Sequence, residues 1–255
     1  MNNLQAVILA AGRGSRMCAL TKDKPKCMLE LLGKPLLHWQ LESIHSAGIN
    51  DILVVRGYKA DSIKGDFKTV DNLRWAETNM VSSLQCALPI VKDKTIIISY
   101  ADIVYSPRHV EKLISAQGDI CLTYDTLWQD LWAYRAEGTT DDILVDAETF
   151  KQNDGRLIEI GKKPQSLDEV QGQYMGLIKL TSKGIQNLLD IFTELGQEKV
   201  DKLDMTSLLS LMLDKNLAIT AVPVDGAWCE SDTQEDIQKY EKALQSKTWK
   251  HDWRI

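Results

Sequence analysis

The opening of this chain constrains its fold more than any other stretch. A continuous apolar run, Ala6-Val7-Ile8-Leu9-Ala10-Ala11, breaks at Gly12-Arg13-Gly14-Ser15-Arg16-Met17, and Lys22-Asp23-Lys24-Pro25-Lys26 follows. An apolar run without alternation is the pattern of a strand buried on both faces, which needs a largely parallel sheet covered by helices on either side. A glycine-rich turn at the end of such a strand frees backbone N–H groups, and cations close behind it suit a polyphosphate. A turn by itself needs no cations, so Arg16 and Lys26 carry the reading beyond chain geometry. Position 17 is Met, where a dinucleotide fingerprint has its third glycine, and no acidic residue ends a second strand at the usual distance. A P-loop would need Gly-Lys-Ser/Thr, which is missing too.

The rest of the chain alternates strand and helix patterns. Strands are expected at 5–10, 52–55, 73–76, 95–99 and 120–124, with helices at 35–47, 82–88 and 107–116 between them. This order predicts an α/β fold: a Rossmann-like mixed, mostly parallel sheet with helices on both faces. The pattern loosens after Tyr124. A short helix is expected at 128–135, a polar loop at 139–146, a hairpin of 148–151 with 156–160 around Asn153-Asp154-Gly155, a strand at 174–180, helices at 182–195 and 206–215, a strand at 217–224, and a closing helix at 233–246 capped by Asp232 or Thr233. No repeat or linker divides the chain. A single domain over 1–255 is expected, with a nucleotide-binding half (1–124), an acceptor-binding half (125–232) and a C-terminal helix and tail (233–255).

Composition narrows the function classes. With 30 Lys and Arg against 36 Asp and Glu, the net charge of −6 disfavours a nucleic-acid partner. No apolar run reaches 18 residues, so no membrane span is expected. Five cysteines without a CxxC pair fit a reducing cytoplasm and free thiols rather than a zinc site. Cys229 reads as a small apolar filler. Seven Trp against three Phe supply flat faces for stacking and for cations. Trp249 and Trp253 lie in the polar tail, where they suit docking of the tail on the body or, as a possible homodimer, on a partner.

Leu9-Ala10-Ala11-Gly12-x-Gly14-x-Arg16 with Pro25-Lys26 resembles the signature of the sugar-phosphate nucleotidyltransferase superfamily. Thr78-Asn79-Met80-Val81-Ser82-Ser83-Leu84, Ala101-Asp102-Ile103, Asp146-Ala147-Glu148-Thr149-Phe150, Gly172-Gln173-Tyr174-Met175-Gly176 and Trp228-Cys229-Glu230-Ser231-Asp232 resemble its phosphocholine and 2-aminoethylphosphonate cytidylyltransferase branch. The resemblance implies Mg²⁺-dependent transfer of CMP from CTP to a small phosphorylated or phosphonylated amino alcohol, with release of pyrophosphate. A sugar 1-phosphate acceptor is the alternative within the superfamily, and a nucleotide-sensing domain without turnover is the non-enzyme alternative.

The residues can be assigned on chemical grounds beside that resemblance. Arg16 and Lys26 are the catalytic cations, neutralising the triphosphate and the charge that grows at the α-phosphorus. Asp102 follows a buried strand at the end where ligands bind in open α/β sheets. Glu230 and Asp232 alternate along an extended segment, so both point to one side. Asp102, Asp232 and Glu230 are therefore the candidate Mg²⁺ ligands, with the share of the last two left open. The resemblance implies nucleotide contacts from Leu9, Ala10, Ala11, Gly12, Gly14, Asn79, Ser82 and Ala101, and an acceptor-phosphate lysine at Lys162 or Lys163. Trp128, Trp132, Tyr174 and Trp228 are candidates for an aromatic box around an ammonium group. Asp125, Asp130, Asp146 and Glu148 in the same region would suit a primary ammonium.

Overall fold

The structure is a computed structural model that describes residues 3–14, 17, 20–136 and 140–254. In chain order its elements are β1 (Leu4–Ala10), β2 (Glu30–Leu31), β3 (Lys34–Pro35), α1 (Leu36–Ser46), β4 (Ile52–Arg56), β5 (Lys68–Asp71), α2 (Met80–Val91), β6 (Thr95–Tyr100), β7 (Ile103–Tyr105), α3 (Pro107–Ser115), β8 (Ile120–Asp125), α4 (Trp128–Ala136) and α5 (Thr140–Asp146). There follow β9 (Phe150–Asn153), β10 (Arg156–Ile160), β11 (Gln173–Leu180), α6 (Ser182–Leu195), α7 (Gln197–Lys202), α8 (Met205–Asp214), β12 (Thr220–Val224), β13 (Trp228–Glu230) and α9 (Gln234–Ala243).

Nine strands form one sheet in the order β5-β4-β1-β6-β11-β8-β12-β10-β9. Strands β5, β4, β1 and β6 are mutually parallel, and β12 is parallel to β8. Strand β11 inserts antiparallel between β6 and β8, and β10 runs antiparallel to its neighbours. The mixed, mostly parallel sheet with helices on both faces thus has only β10 and β11 reversed. The unbroken apolar run of β1 has its cause here. Ala6, Ile8 and Ala10 face one core with Leu37, Val110 and Trp228, while Val7, Leu9 and Ala11 face a second with Leu84, Leu188 and Leu208.

Two expectations are corrected. Residues 73–76 form a turn, and the strand lies earlier, at Lys68–Asp71. The Asn72 side chain accepts from the Arg74 amide at 3.0 Å, closing a local turn, and Leu73 is exposed. The segment expected as a loop at 139–146 contains α5, anchored by buried Ile143, whose carbonyl accepts from the Ala147 amide at 3.2 Å. Element ends also shift. Helix α8 stops at Asp214, and Asn216 takes a left-handed φ of 58°, so β12 starts only at Thr220. Thr233 caps α9 in a capping box with Asp236.

The short ribbon β7–β13 positions the site. It pairs Glu230 with Ile103, and the Ser231 amide donates to the Asp102 carbonyl at 2.9 Å. This brings the turn after β6 against the residues after β13. The tail docks on its own body: Trp253 is buried edge-on to Trp39 at 5.7 Å, and Trp249 lies 4.7 Å from Tyr134. Cys229 is buried, and burial raises its thiol pKa, as an apolar filler requires. Among the described residues no helix is long and apolar enough to cross a membrane.

His109 on α3 is buried, and burial, with the nearby charge of Lys112, pushes its imidazole down to about 3. An unfolded histidine titrates near 6.5. The unfolded state therefore binds a proton that the native state refuses, and stability falls as pH drops from about 6.5 toward about 3. His109→Gln is expected to make the loss of urea stability between pH 6 and pH 4 shallower, by up to about 1.4 kcal/mol per pH unit. Identical slopes for the two proteins would refute this.

Candidate active site

Strand β1 ends at Ala10, and the chain turns over a 3-10 turn at Lys26–Met28. Gly14 makes this approach possible: it sits at φ 74°, and a Cβ there would fall 2.7 Å from Lys26 Cβ. A cavity of about 300 Å³ opens at this end of the sheet. Leu9, Ala10, Ala11, Gly12, Gly14, Lys26, Asn79, Ala101, Asp102 and Asp232 all line it. Trp75, Met80 and Ser83 line it too. Sequence reading missed Trp75 because its segment had the pattern of a strand. Arg16 lies outside the described residues.

Lys26 is the electrostatic centre. Its Nζ donates at 2.8 Å to Asp102 Oδ2 and at 2.8 Å to Asp232 Oδ1. Burial would push the ammonium down, but the two carboxylates outweigh it and hold Lys26 above its ordinary value. Carboxylate oxygens of Asp102, Glu230 and Asp232 lie within 4.8 Å of one another. Burial, then the Asp232 charge, pushes Glu230 up to about 8. Asp102 Oδ1 is buried and has no hydrogen-bond partner among the described residues. An all-oxygen set with an orphaned carboxylate oxygen fits a hard divalent cation such as Mg²⁺.

A second cavity, of about 380 Å³, shares Asn79, Met80, Asp102 and Asp232 with the first. Trp132, Asp146, Glu148, Tyr174, Asp204 and Glu230 line it. Burial and the nearby Asp204 charge raise Glu148 above the ordinary carboxylate range. Asp204 had not been singled out, because a residue that caps a helix reads as structural; it does cap α8, accepting from the Ser207 amide at 2.7 Å.

Other expected residues lie elsewhere. Trp128 and Trp228 are buried in the core and line neither cavity. Trp228 pairs with Tyr105 at the far end of β13, and its indole N–H donates to Asp125 at 2.9 Å. Each ring centroid stands 6.1 Å from that of Trp132, so the pair backs the one tryptophan that reaches the cavity. Lys162 is exposed on the β9–β10 hairpin and pairs with Glu159 at 2.9 Å. Lys163 reaches the carbonyl of Val145. Ser82 faces α7, donating to Asp201 at 3.1 Å; Ser83, four residues after the N-cap Asn79, takes the cavity position instead. Asp125 is buried as a core acceptor for the Leu127 and Gly226 amides, and Asp130 is an exposed partner of Lys250.

A glycine turn at a strand end, a half-buried lysine between two aspartates and two adjoining cavities stand together at one end of the sheet. The chain belongs to the MobA-like NTP transferase domain family, whose model matches residues 6–145, and it is a nucleotidyltransferase. Among its relatives are cytidylyltransferases. It is 38% identical to the CTP:phosphoglutamine cytidylyltransferase of Campylobacter jejuni over 252 residues, covering 92% of this chain and 98% of the relative. It is 32% identical over 163 residues to the 2-aminoethylphosphonate cytidylyltransferase of Lancefieldella rimae, covering 62% and 60%. The inositol-1-phosphate CTP transferase of T. maritima shares the fold, with a TM-score of 0.74 at 19% identity over 93% of each chain. The reading as a nucleotide-sensing domain without turnover is thereby set aside.

Lys26→Met leaves the adjacent Asp102 and Asp232 carboxylates without their shared ammonium. Turnover, read as pyrophosphate release, is expected to fall by about 100-fold or more. Activity within about threefold of wild type would remove Lys26 from the reaction.

Proposed function

We propose that this enzyme transfers CMP from CTP to a small phosphorylated or phosphonylated acceptor that carries a primary ammonium group. The nucleotide takes the first cavity, with its phosphates against the Gly12–Gly14 turn and Lys26. On its motif position, Arg16 is assigned to the same phosphates. The acceptor takes the second cavity. An oxygen of its phosphate or phosphonate attacks the α-phosphorus, and the bond to the bridging oxygen of pyrophosphate breaks. That oxygen is already ionised at neutral pH, so no general base is needed, and catalysis is positioning and charge neutralisation. Asp102 and Asp232, with Glu230 beside them, would hold Mg²⁺. Bound there, the cation supplies neutralisation of the triphosphate.

The observation that carries the acceptor class is the composition of the second cavity. Asp146, Glu148 and Asp204 offer hydrogen-bond acceptors as well as negative charge, and Glu230, its carboxyl pushed up to about 8, adds acceptor oxygens. A primary ammonium uses both, whereas a quaternary one relies on aromatic faces. With Trp128 and Trp228 in the core, Trp132 and Tyr174 are what remains of the expected four-membered box. This favours 2-aminoethylphosphonate over phosphocholine. Phosphoglutamine, named for the Campylobacter relative, also carries a primary ammonium.

The test is pyrophosphate release from CTP, UTP, GTP and dTTP with Mg²⁺, against 2-aminoethylphosphonate, phosphoglutamine, phosphocholine and glucose 1-phosphate. Turnover is expected with CTP and the primary-ammonium acceptors, abolished by EDTA and restored by Mg²⁺. Glu148→Gln is expected to raise the acceptor KM by about tenfold with the CTP KM unchanged, the cost of about one charge-assisted hydrogen bond. Preference for phosphocholine or glucose 1-phosphate would overturn the acceptor reading.

A further inference from the structure

Arg135, near the end of α4, was not singled out in the sequence, yet its side chain is only 10% exposed and sits among carboxylates. Its guanidinium donates to Asp232 Oδ2 at 3.3 Å and to Asp236 Oδ1 at 3.4 Å. Lys26 holds the other oxygen of the same Asp232 carboxylate, at 2.8 Å. Nη1 lies 3.6 Å from Asp146 on α5 and 3.8 Å from Glu230, and makes no hydrogen bond among the described residues. The guanidinium carbon also stands 5.2 Å over the ring of Trp132. One cation therefore touches the carboxylate cluster, the start of α9 and two elements that wall the acceptor cavity.

We propose that Arg135 is a positioning residue, which fixes Asp232 from the side opposite Lys26 and ties the acceptor wall of α4 and α5 to the carboxylate cluster. The inference rests on the reading of Asp102, Glu230 and Asp232 as cation ligands. Its charge and its geometry act in opposite directions. As a positive charge beside the cluster, Arg135 weakens the attraction of those carboxylates for a divalent cation. As a planar fork it orients Asp232 and the acceptor wall, and lysine cannot reproduce that contact.

Mn²⁺ binding to the resting protein, followed by electron paramagnetic resonance, separates the two effects when paired with turnover. Arg135→Gln is expected to bind Mn²⁺ about fivefold more tightly than wild type while kcat falls by about tenfold or more. Arg135→Lys keeps the charge, so its Mn²⁺ affinity should stay within about twofold of wild type while kcat still falls. Melting temperatures identify a variant that has failed to fold, and Arg135→Lys then carries the test alone. Weaker Mn²⁺ binding in folded Arg135→Gln, or kcat within about twofold of wild type in either variant, overturns the proposal. Asp102→Asn is the control. A wild-type Mn²⁺ signal that survives it overturns the cation reading of the cluster and, with it, the role of Arg135.

Discussion

The bridge from Lys26 to Asp102 and Asp232 is the interaction on which the site depends. It joins residues separated by up to 206 positions, so it forms only when the sheet, the turn after β6 and the β7–β13 ribbon are all in place. Burying two carboxylates and an ammonium carries a desolvation penalty that attraction among them only partly offsets. Such a cluster is a poor device for stability. It is well suited to a site that must receive a polyphosphate, because the carboxylates are held apart and oriented before any ligand arrives. The third carboxyl, Glu230, is pushed up to about 8 by burial and the Asp232 charge, and a divalent cation among the three would favour its charged form.

The order of strands explains why the two cavities share a wall. Strand β1 lies between β4 and β6, so the turn after β1 and the turn after β6 open at the same edge of the sheet. Strand β11 then enters antiparallel beside β6, and Gln173 and Tyr174 at its start reach that same edge. Asp102 and Asp232 stand between the two spaces. A nucleotide in one and an acceptor in the other would meet at the carboxylates, so their proximity would follow from strand order.

The first cavity, which we propose takes the nucleotide, was largely legible in the sequence because Leu9, Ala10, Ala11, Gly12, Gly14, Ala101 and Asp102 in its lining lie at or just after strand ends. A buried strand, a glycine turn and a lysine at fixed spacing have few structural solutions, and the backbone itself lines the cavity. The carboxylate cluster was legible too, since alternation along an extended segment fixes the side on which Glu230 and Asp232 point. The acceptor side was read only in part. Trp128 and Trp132 are one helical turn apart, and periodicity alone does not say which of them ends at the cavity. Ser82 and Ser83 pose the same problem on α2, where one faces α7 and the other the nucleotide space. Asp204 and Arg135 gave no local signal: one looks like a cap, and the other's partners come from three separate segments.

That difference bears on how one scaffold serves relatives with different acceptors. The first cavity, proposed for the nucleotide, is framed by β1, where every side chain from Ala6 to Ala10 is packed in one core or the other. The acceptor side rests on α4, α5 and the cap of α8, whose cavity-facing residues can change without altering strand register. Trp132 on α4, Asp146 at the end of α5, Glu148 in the connection to β9 and Asp204 at the cap of α8 are such residues, and buried Ile143 and Leu208 anchor α5 and α8 beside them. On the proposed assignment of the two cavities, a change of acceptor preference requires no change in the Gly12–Gly14 turn or Lys26. Arg135 marks the boundary of that freedom, because it belongs to the variable wall by position and to the carboxylate cluster by contact.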